Sequence, residues 1–317
     1  MIISVINYKG GVGKTTLTAN IASEMASRGQ KVLIIDLDPQ TNLTLSFLTF
    51  EQWDHQYKEQ TIQHWYDAYI DHDRELSLRE FIIQPERINK RLREIKSNGV
   101  LALIPSHLGL VNVDNELAIK IWKGHQGISD RSHRHVYLRT LSRLKTALDP
   151  LTKKDYDTIF IDCPPNLNYV TQTAIIASDG LLIPAKPDYL STLGISELQR
   201  HLHQRIEEYN TKASIEATPY TPVSPAWLGV AFTMVGLRNN EPYHTLQTYI
   251  DRVKSQNIDT FKTYITENKS DHSQAPETGI PVVLTPENKA QNKSILYQFR
   301  ELSREVEEKI QRLPSRR

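Results

Sequence analysis

Cysteine is nearly absent from this chain, with Cys163 alone among 317 residues. That excludes an internal disulfide framework and any cysteine-clustered zinc or iron–sulfur site built by one chain, and it fits a reducing compartment. Net charge is nearly absent too: 38 Lys and Arg stand against 37 Asp and Glu. No whole-molecule field points to a polyanionic partner, so a nucleic-acid surface would have to be a local patch. No apolar run is long enough to span a bilayer. Met1 to Ile6 lead straight into a glycine loop without a basic stretch or cleavage site, so no signal peptide and a cytoplasmic location are expected. Internal repeats and low-complexity tracts are missing.

What is present is alternation. Short β-branched runs, Ile2 to Asn7, Val32 to Asp36, Val100 to Pro105, Thr158 to Asp162, Gly180 to Pro184 and Trp227 to Thr233, are separated by helical patterns. The runs are apolar almost throughout rather than alternately, as strands buried on both faces are. They predict an α/β fold: a doubly wound, mostly parallel sheet flanked by helices. Thr15 to Ser27 has helical spacing through Leu17, Ile21, Ala22 and Met25 and stops at Gly29. One domain over residues 1–317 is expected, with an insertion at 49–98 holding helical stretches near Ile62 to Ile70 and Glu86 to Ile95. Gly124 to Arg134 reads as an exposed loop, and Thr211 to Pro225, with three prolines, as a connector. The insertion reads either as a partner-docking element or as neutral surface.

The strongest motif follows the first strand. Gly13, Lys14 and Thr15 meet the end of the P-loop pattern G-x-x-x-x-G-K-[ST], but Tyr8 stands where its first glycine belongs. The loop instead runs Lys9, Gly10, Gly11, Val12, Gly13, Lys14, Thr15, Thr16, the deviant form, with a strand before it and an amphipathic helix after. Glycines let backbone N–H groups close around phosphate oxygens, and the helix start adds partial positive charge. Lys14 is expected to reach the β and γ phosphates of ATP, and the Thr15 hydroxyl to ligate Mg²⁺. Carboxylates end two other strands: Asp36 and Asp38 the second, Asp162 the fourth. Open α/β sheets bind ligands at that edge. Each of the three acids could also merely cap its turn.

Together these residues resemble the ParA/MinD superfamily of P-loop ATPases, and the resemblance runs in order over about two thirds of the chain. Lys9 matches the family's signature lysine, which implies two chains sandwiching two ATP molecules. Ile35 to Gln40 resembles the Walker A′ segment, implying that Asp38 orients the attacking water; with Lys9 and Lys14 it makes the catalytic set. Ile159 to Pro165 resembles Walker B, so Asp162 would hold Mg²⁺ with Thr15, and Asp36 would lie at or just behind the metal. Gly229 to Met234 resembles the strand that approaches adenine, and Ser273 to Pro281 the late stretch of partition ATPases. Met234 and Pro281 are therefore expected to bind the nucleotide alongside Gly10 to Thr16.

The resemblance implies a ParA-type ATPase lacking an N-terminal helix-turn-helix domain, since the P-loop begins at residue 9. It would dimerise on ATP, bind non-specific DNA at the nucleoid, and answer to a ParB-like or cargo-adaptor protein that stimulates hydrolysis. Arg200, Arg205 and Arg238 are the candidate DNA contacts, extended by Arg252, Lys254 and Lys262; each is equally readable as solvated surface. The alternatives are positioning of a protein cargo such as a microcompartment, and a MinD-like membrane ATPase. The second needs a basic amphipathic tail. Ile295, Leu296, Phe299, Leu302, Val306, Ile310 and Leu313 do form a stripe, but the opposite face mixes signs. That suits a helix packed on the protein, with no stable membrane association. No metal role is assigned to the pair His133 and His135.

Overall fold

The computed structural model describes residues 1–123, 130–215, 219–239, 241–267, 279–285 and 293–314. Strand β1 (Ile2–Val5) enters helix α1 (Lys14–Ser27), which returns to β2 (Lys31–Asp36). The crossover to β3 (Val100–Ile104) holds the short helices α2 (Asn42–Leu45) and α3 (Phe50–Gln52), a π turn (Trp53–Tyr57), α4 (Ile62–His72) and α5 (Glu86–Glu94). Then come α6 (Leu110–Lys123), α7 (Asp130–Lys154), β4 (Thr158–Asp162), α8 (Tyr169–Ala177), β5 (Gly180–Ala185) and α9 (Tyr189–Ala213). The chain closes with β6 (Ala226–Val235), the hairpin β7 (Leu237–Arg238) and β8 (Glu241–Pro242), α10 (His244–Ser255), β9 (Ile265–Thr266) and α11 (Lys293–Gln311).

Seven strands form one sheet in the order β3-β2-β4-β1-β5-β6-β9, and every pair within it is parallel. The continuous apolar runs have a plain cause. Ile2, Leu33, Ile35, Ile159, Ile161 and Ile183 feed one core, whereas Ile3, Val5, Val32, Ile34, Phe160 and Leu182 feed a second on the opposite face. Each such side chain removed from water contributes about 1.5–3 kcal/mol. Helices α4 and α6 to α10 cover the first face; α1, α5 and α11 cover the second. Because β1 leads to α1 on one face and β4 to α8 on the other, their loops part at the carboxyl edge of the sheet and leave a crevice there.

The six strand expectations agree with the observed strands to within a residue or two, and α1 stops at Gly29 with φ +97°, the left-handed cap its position implied. Three features differ. Helix α9 runs on to Ala213, three residues into the expected connector. Helix α7 begins at Asp130, so residues 130–134 are helical rather than loop. Their polar side chains ride the solvent side of a helix anchored further on by buried Tyr137, Leu138, Leu141, Leu144 and Leu148; residues 124–129 lie outside the described residues. The two-residue strands β7, β8 and β9 lie outside the six expected runs, each too short for a period-2 signal. The stripe of α11 is buried: Ile295, Phe299, Leu302 and Val306 pack into the core shared with α1. No described helix is long and apolar enough to cross a membrane.

Candidate active site

Residues 7–13 fold back over the start of α1. Gly11 and Gly13 take φ +67° and +83°, left-handed values that side chains resist, and Gly13 is itself the cap of α1. The loop is pinned from the far end of the chain: the Thr233 hydroxyl of β6 donates to the Val12 carbonyl at 2.8 Å. Asn7 donates to the Pro184 carbonyl at 2.7 Å and accepts from the Lys9 amide at 3.0 Å.

A cavity of about 470 Å³ opens above this loop. It is lined by Gly10, Gly11, Gly13, Lys14, Thr15 and Thr16 of the loop and by Asp38, and its outer wall includes Met234 and Pro281. The structure thus brings together residues separated by more than 200 positions. Val12 is fully buried and does not line the cavity. A larger cavity, about 810 Å³, lies at the other end of the strands among Met1, Arg28, Gln30, Asp157 and Glu307. Neither the glycine loop nor the strand-end carboxylates Asp36, Asp38 and Asp162 reach it.

Lys14 is buried, and its ammonium donates to the Lys9 carbonyl at 3.3 Å. Burial lowers its pKa, while the Asp162 and Asp38 charges oppose that fall. The Thr15 hydroxyl donates to Asp162 Oδ2 at 2.7 Å, and Thr18 to Oδ1 at 3.3 Å. Burial pushes Asp162 up to about 7 despite Thr15 and Lys14. A threonine hydroxyl beside a carboxylate, at the foot of the glycine loop, is an oxygen set that a hard divalent cation takes.

Asp36 does not face the cavity. Its Oδ1 accepts the Asp38 amide at 3.1 Å; its Oδ2 accepts the Thr44 amide at 2.8 Å and the Thr44 hydroxyl at 2.7 Å. Burial and the neighbouring Asp162 charge push it up to about 8 against those three hydrogen bonds. Asp38 is half-buried, and its Oδ1 accepts the Gln40 amide at 2.9 Å.

Lys9 lies outside the cavity wall. Its ammonium bonds both Asp188 oxygens, at 2.9 and 3.1 Å, and the Ser191 hydroxyl at 3.0 Å, all at the start of α9. Burial raises the Asp188 carboxyl, but Lys9 and the Ser191 donors bring it below the usual carboxylate range.

The candidate DNA contacts are dispersed. Arg200 pairs with Glu197 at 2.8 Å and Arg205 with Glu208 at 3.1 Å, both along α9, whereas Arg238 is exposed on the β7–β8 hairpin. Residues 273–278 of the late partition-like stretch lie outside the described residues. Among the described residues, no cluster of three or more His, Cys, Asp or Glu could hold a metal by itself.

Sequence reasoning overlooked Asn20, Gln40, Asn42 and Ser46, which also line the cavity. The polar run from Asp38 to Asn42 at the carboxyl end of a buried strand was the available signal.

A family model described as an AAA domain matches residues 1–215. The sporulation initiation inhibitor protein Soj of Bacillus subtilis is 32% identical over 89% of this chain and 90% of its own length. The chain belongs to the ParA/MinD superfamily. Among solved structures, apo McdA of Cyanothece superposes with a TM-score of 0.68 at 21% identity, covering 98% of each chain. Cobyrinic acid a,c-diamide synthase of Mycobacterium smegmatis, with bound ADP and magnesium, gives 0.63 at 18% identity over 100% of this chain and 98% of its own. Those two likenesses concern the fold. As a ParA-type member of the superfamily, the chain is an ATP hydrolase.

Proposed function

We propose that this ParA-type ATPase is a switch: it dimerises on ATP, binds DNA non-specifically as the dimer, and is released when a ParB-like or cargo-adaptor protein stimulates hydrolysis. The cycle would position a plasmid, a chromosome or another cargo at the nucleoid. The position of Lys9 carries this reading. A lysine outside the cavity that its own loop encloses is poorly placed for its own nucleotide and well placed for one held by a second copy. Around it, Tyr189, Leu190 and Leu193 at the start of α9 are 52, 69 and 41% exposed, an apolar rim that a facing protomer would cover. Lys9→Ala is expected to keep ATP affinity within a few-fold but lose the ATP-dependent dimer on a sizing column. A wild-type dimer in that variant would remove Lys9 from the role.

In this reading Lys14 binds the β and γ phosphates and the backbone amides of Gly10 to Thr16 surround them. Thr15 and Asp162 would hold Mg²⁺, which neutralises phosphate charge when bound. Asp38 orients water for in-line attack on the γ phosphorus, giving ADP and phosphate. Met234 and Pro281 bound the end of the cavity left for the base. Asp36 serves the site through the loop that carries Asp38.

Arg238 is the favoured DNA contact, since Arg200 and Arg205 already have partners on their own helix. Surface pairs of that kind are worth about 0–1 kcal/mol, so those arginines remain recruitable. Arg238→Glu is expected to weaken binding to all DNA sequences alike and to lower the salt slope by about one per site. Unchanged affinity in filter binding at several salt concentrations would remove Arg238 from the DNA surface. A membrane role is disfavoured because the apolar stripe of α11 is used in the core.

A further inference from the structure

We infer that Ser106, held from behind by Trp53, is a positioning residue for hydrolysis. The inference rests on the reading of Asp38 as the residue that orients water. The Asp38 carboxylate is held by the Gln40 amide, only two residues on in the same loop, so its aim depends on where that backbone is fixed. The amide donates to Asp36 Oδ1; the carbonyl accepts the Thr41 amide at 2.9 Å and the Ser106 hydroxyl at 2.8 Å.

Ser106 is fully buried, two residues beyond β3, and each of its polar groups is committed. Its hydroxyl goes to Asp38, its amide donates to Thr44 Oγ1 at 2.9 Å, and its carbonyl accepts the Trp53 indole N–H at 3.1 Å. Thr44 Oγ1 in turn donates to Asp36 Oδ2. A closed ring therefore runs Asp36, Asp38, Ser106, Thr44 and back to Asp36. Only Ser106 ties the Asp38 carbonyl in this ring to a second strand end.

Trp53 belongs to the 49–98 segment. It is 6% exposed and stacks on His107 with ring centroids 5.5 Å apart. Next to Ser106, the Pro105 carbonyl accepts the Ile62 amide that starts α4, at 2.9 Å. Two attachments thus join this segment to the residues that hold the Asp38 loop, so its inner side braces the hydrolytic geometry whatever its outer side does. A buried serine with a purely structural role would need only some acceptor, and its loss would lower stability without selecting the hydrolytic step.

The test is single-turnover hydrolysis of prebound ATP by Ser106→Ala and Trp53→Phe, with ATP affinity from titration of a fluorescent analogue. Ser106→Ala is expected to hydrolyse about tenfold more slowly with affinity within about twofold, because a small displacement of a water-orienting group costs rate rather than binding. Trp53→Phe, which keeps an aromatic ring at the site and loses the pyrrole half of the indole with its N–H, is expected to slow about threefold. Wild-type hydrolysis in Ser106→Ala, or a loss of affinity matching its loss of rate, overturns the proposal. If Ser106→Ala does not fold, a wild-type rate in Trp53→Phe overturns it. Asp38→Ala run alongside separates the two readings: normal turnover there removes the premise, whereas an inactive Asp38→Ala beside a normal Ser106→Ala removes only the positioning role.

Discussion

Asp38→Ala is expected to bind ATP as tightly as the wild type, to accumulate as the ATP dimer, and to hydrolyse at least about 100-fold more slowly. The side chain lines the cavity without being part of the phosphate loop, so its removal leaves the Lys14 ammonium and the loop amides in place. It removes one loop hydrogen bond, from the Gln40 amide to Asp38 Oδ1, and keeps the rest, because the Asp38 amide and carbonyl, not its carboxylate, bond Asp36 and Ser106. Binding and turnover therefore separate in one variant. Stopped-flow nucleotide binding with a phosphate-release assay measures both. Turnover within a few-fold of wild type would take Asp38 out of the mechanism.

Lys14→Ala should fail one step earlier, at nucleotide capture. Removing one member of a buried, hydrogen-bonded charge pair costs about 2–5 kcal/mol, and about 1.4 kcal/mol is a factor of ten in affinity. ATP binding should accordingly weaken by roughly 100-fold or more. The nucleotide-free protein should not lose stability. Burial lowers the pKa of Lys14, so its charged form is held there at a cost that alanine does not carry. Thermal melting shows both effects: an apo midpoint at or above wild type, with the ATP-induced rise missing. A wild-type ATP-induced rise would contradict the assignment.

These two variants also show why part of the site was legible in the sequence. Gly11, Gly13 and Lys14 work through local backbone geometry, left-handed turns opening a helix, and only certain residues at fixed spacing allow it. Asp36, Asp38 and Asp162 ended apolar runs, which located them at the carboxyl edge of a sheet. The Asp36 contacts were not legible. An acid two residues from Asp38 reads equally well as a metal neighbour or as a loop brace, and the difference lies in Thr44 and Ser106, which no spacing connects to it. Lys9 was recognisable by its place in the loop, but its attachment to Asp188, 179 residues away, was not. Helix α7 hid its start because residues 130–134 contribute little to the core, so their periodicity is weak.

The sequence by itself determined the α/β class, six of the seven strands of the parallel sheet, the deviant phosphate loop and the carboxylates at the sheet edge. Each is encoded in residues adjacent along the chain, as apolar period, glycine placement or strand-end charge. Only the tertiary structure decided that Thr233 pins Val12, that Lys9 rests on Asp188, and that Ser106 and Trp53 hold the backbone of Asp38. Those contacts depend on strand order, which places β1 between β4 and β5 and so brings distant loops to one crevice. Parallel strands are joined by crossovers of a dozen residues or more, and the side chains that meet at their ends carry no fixed separation in sequence.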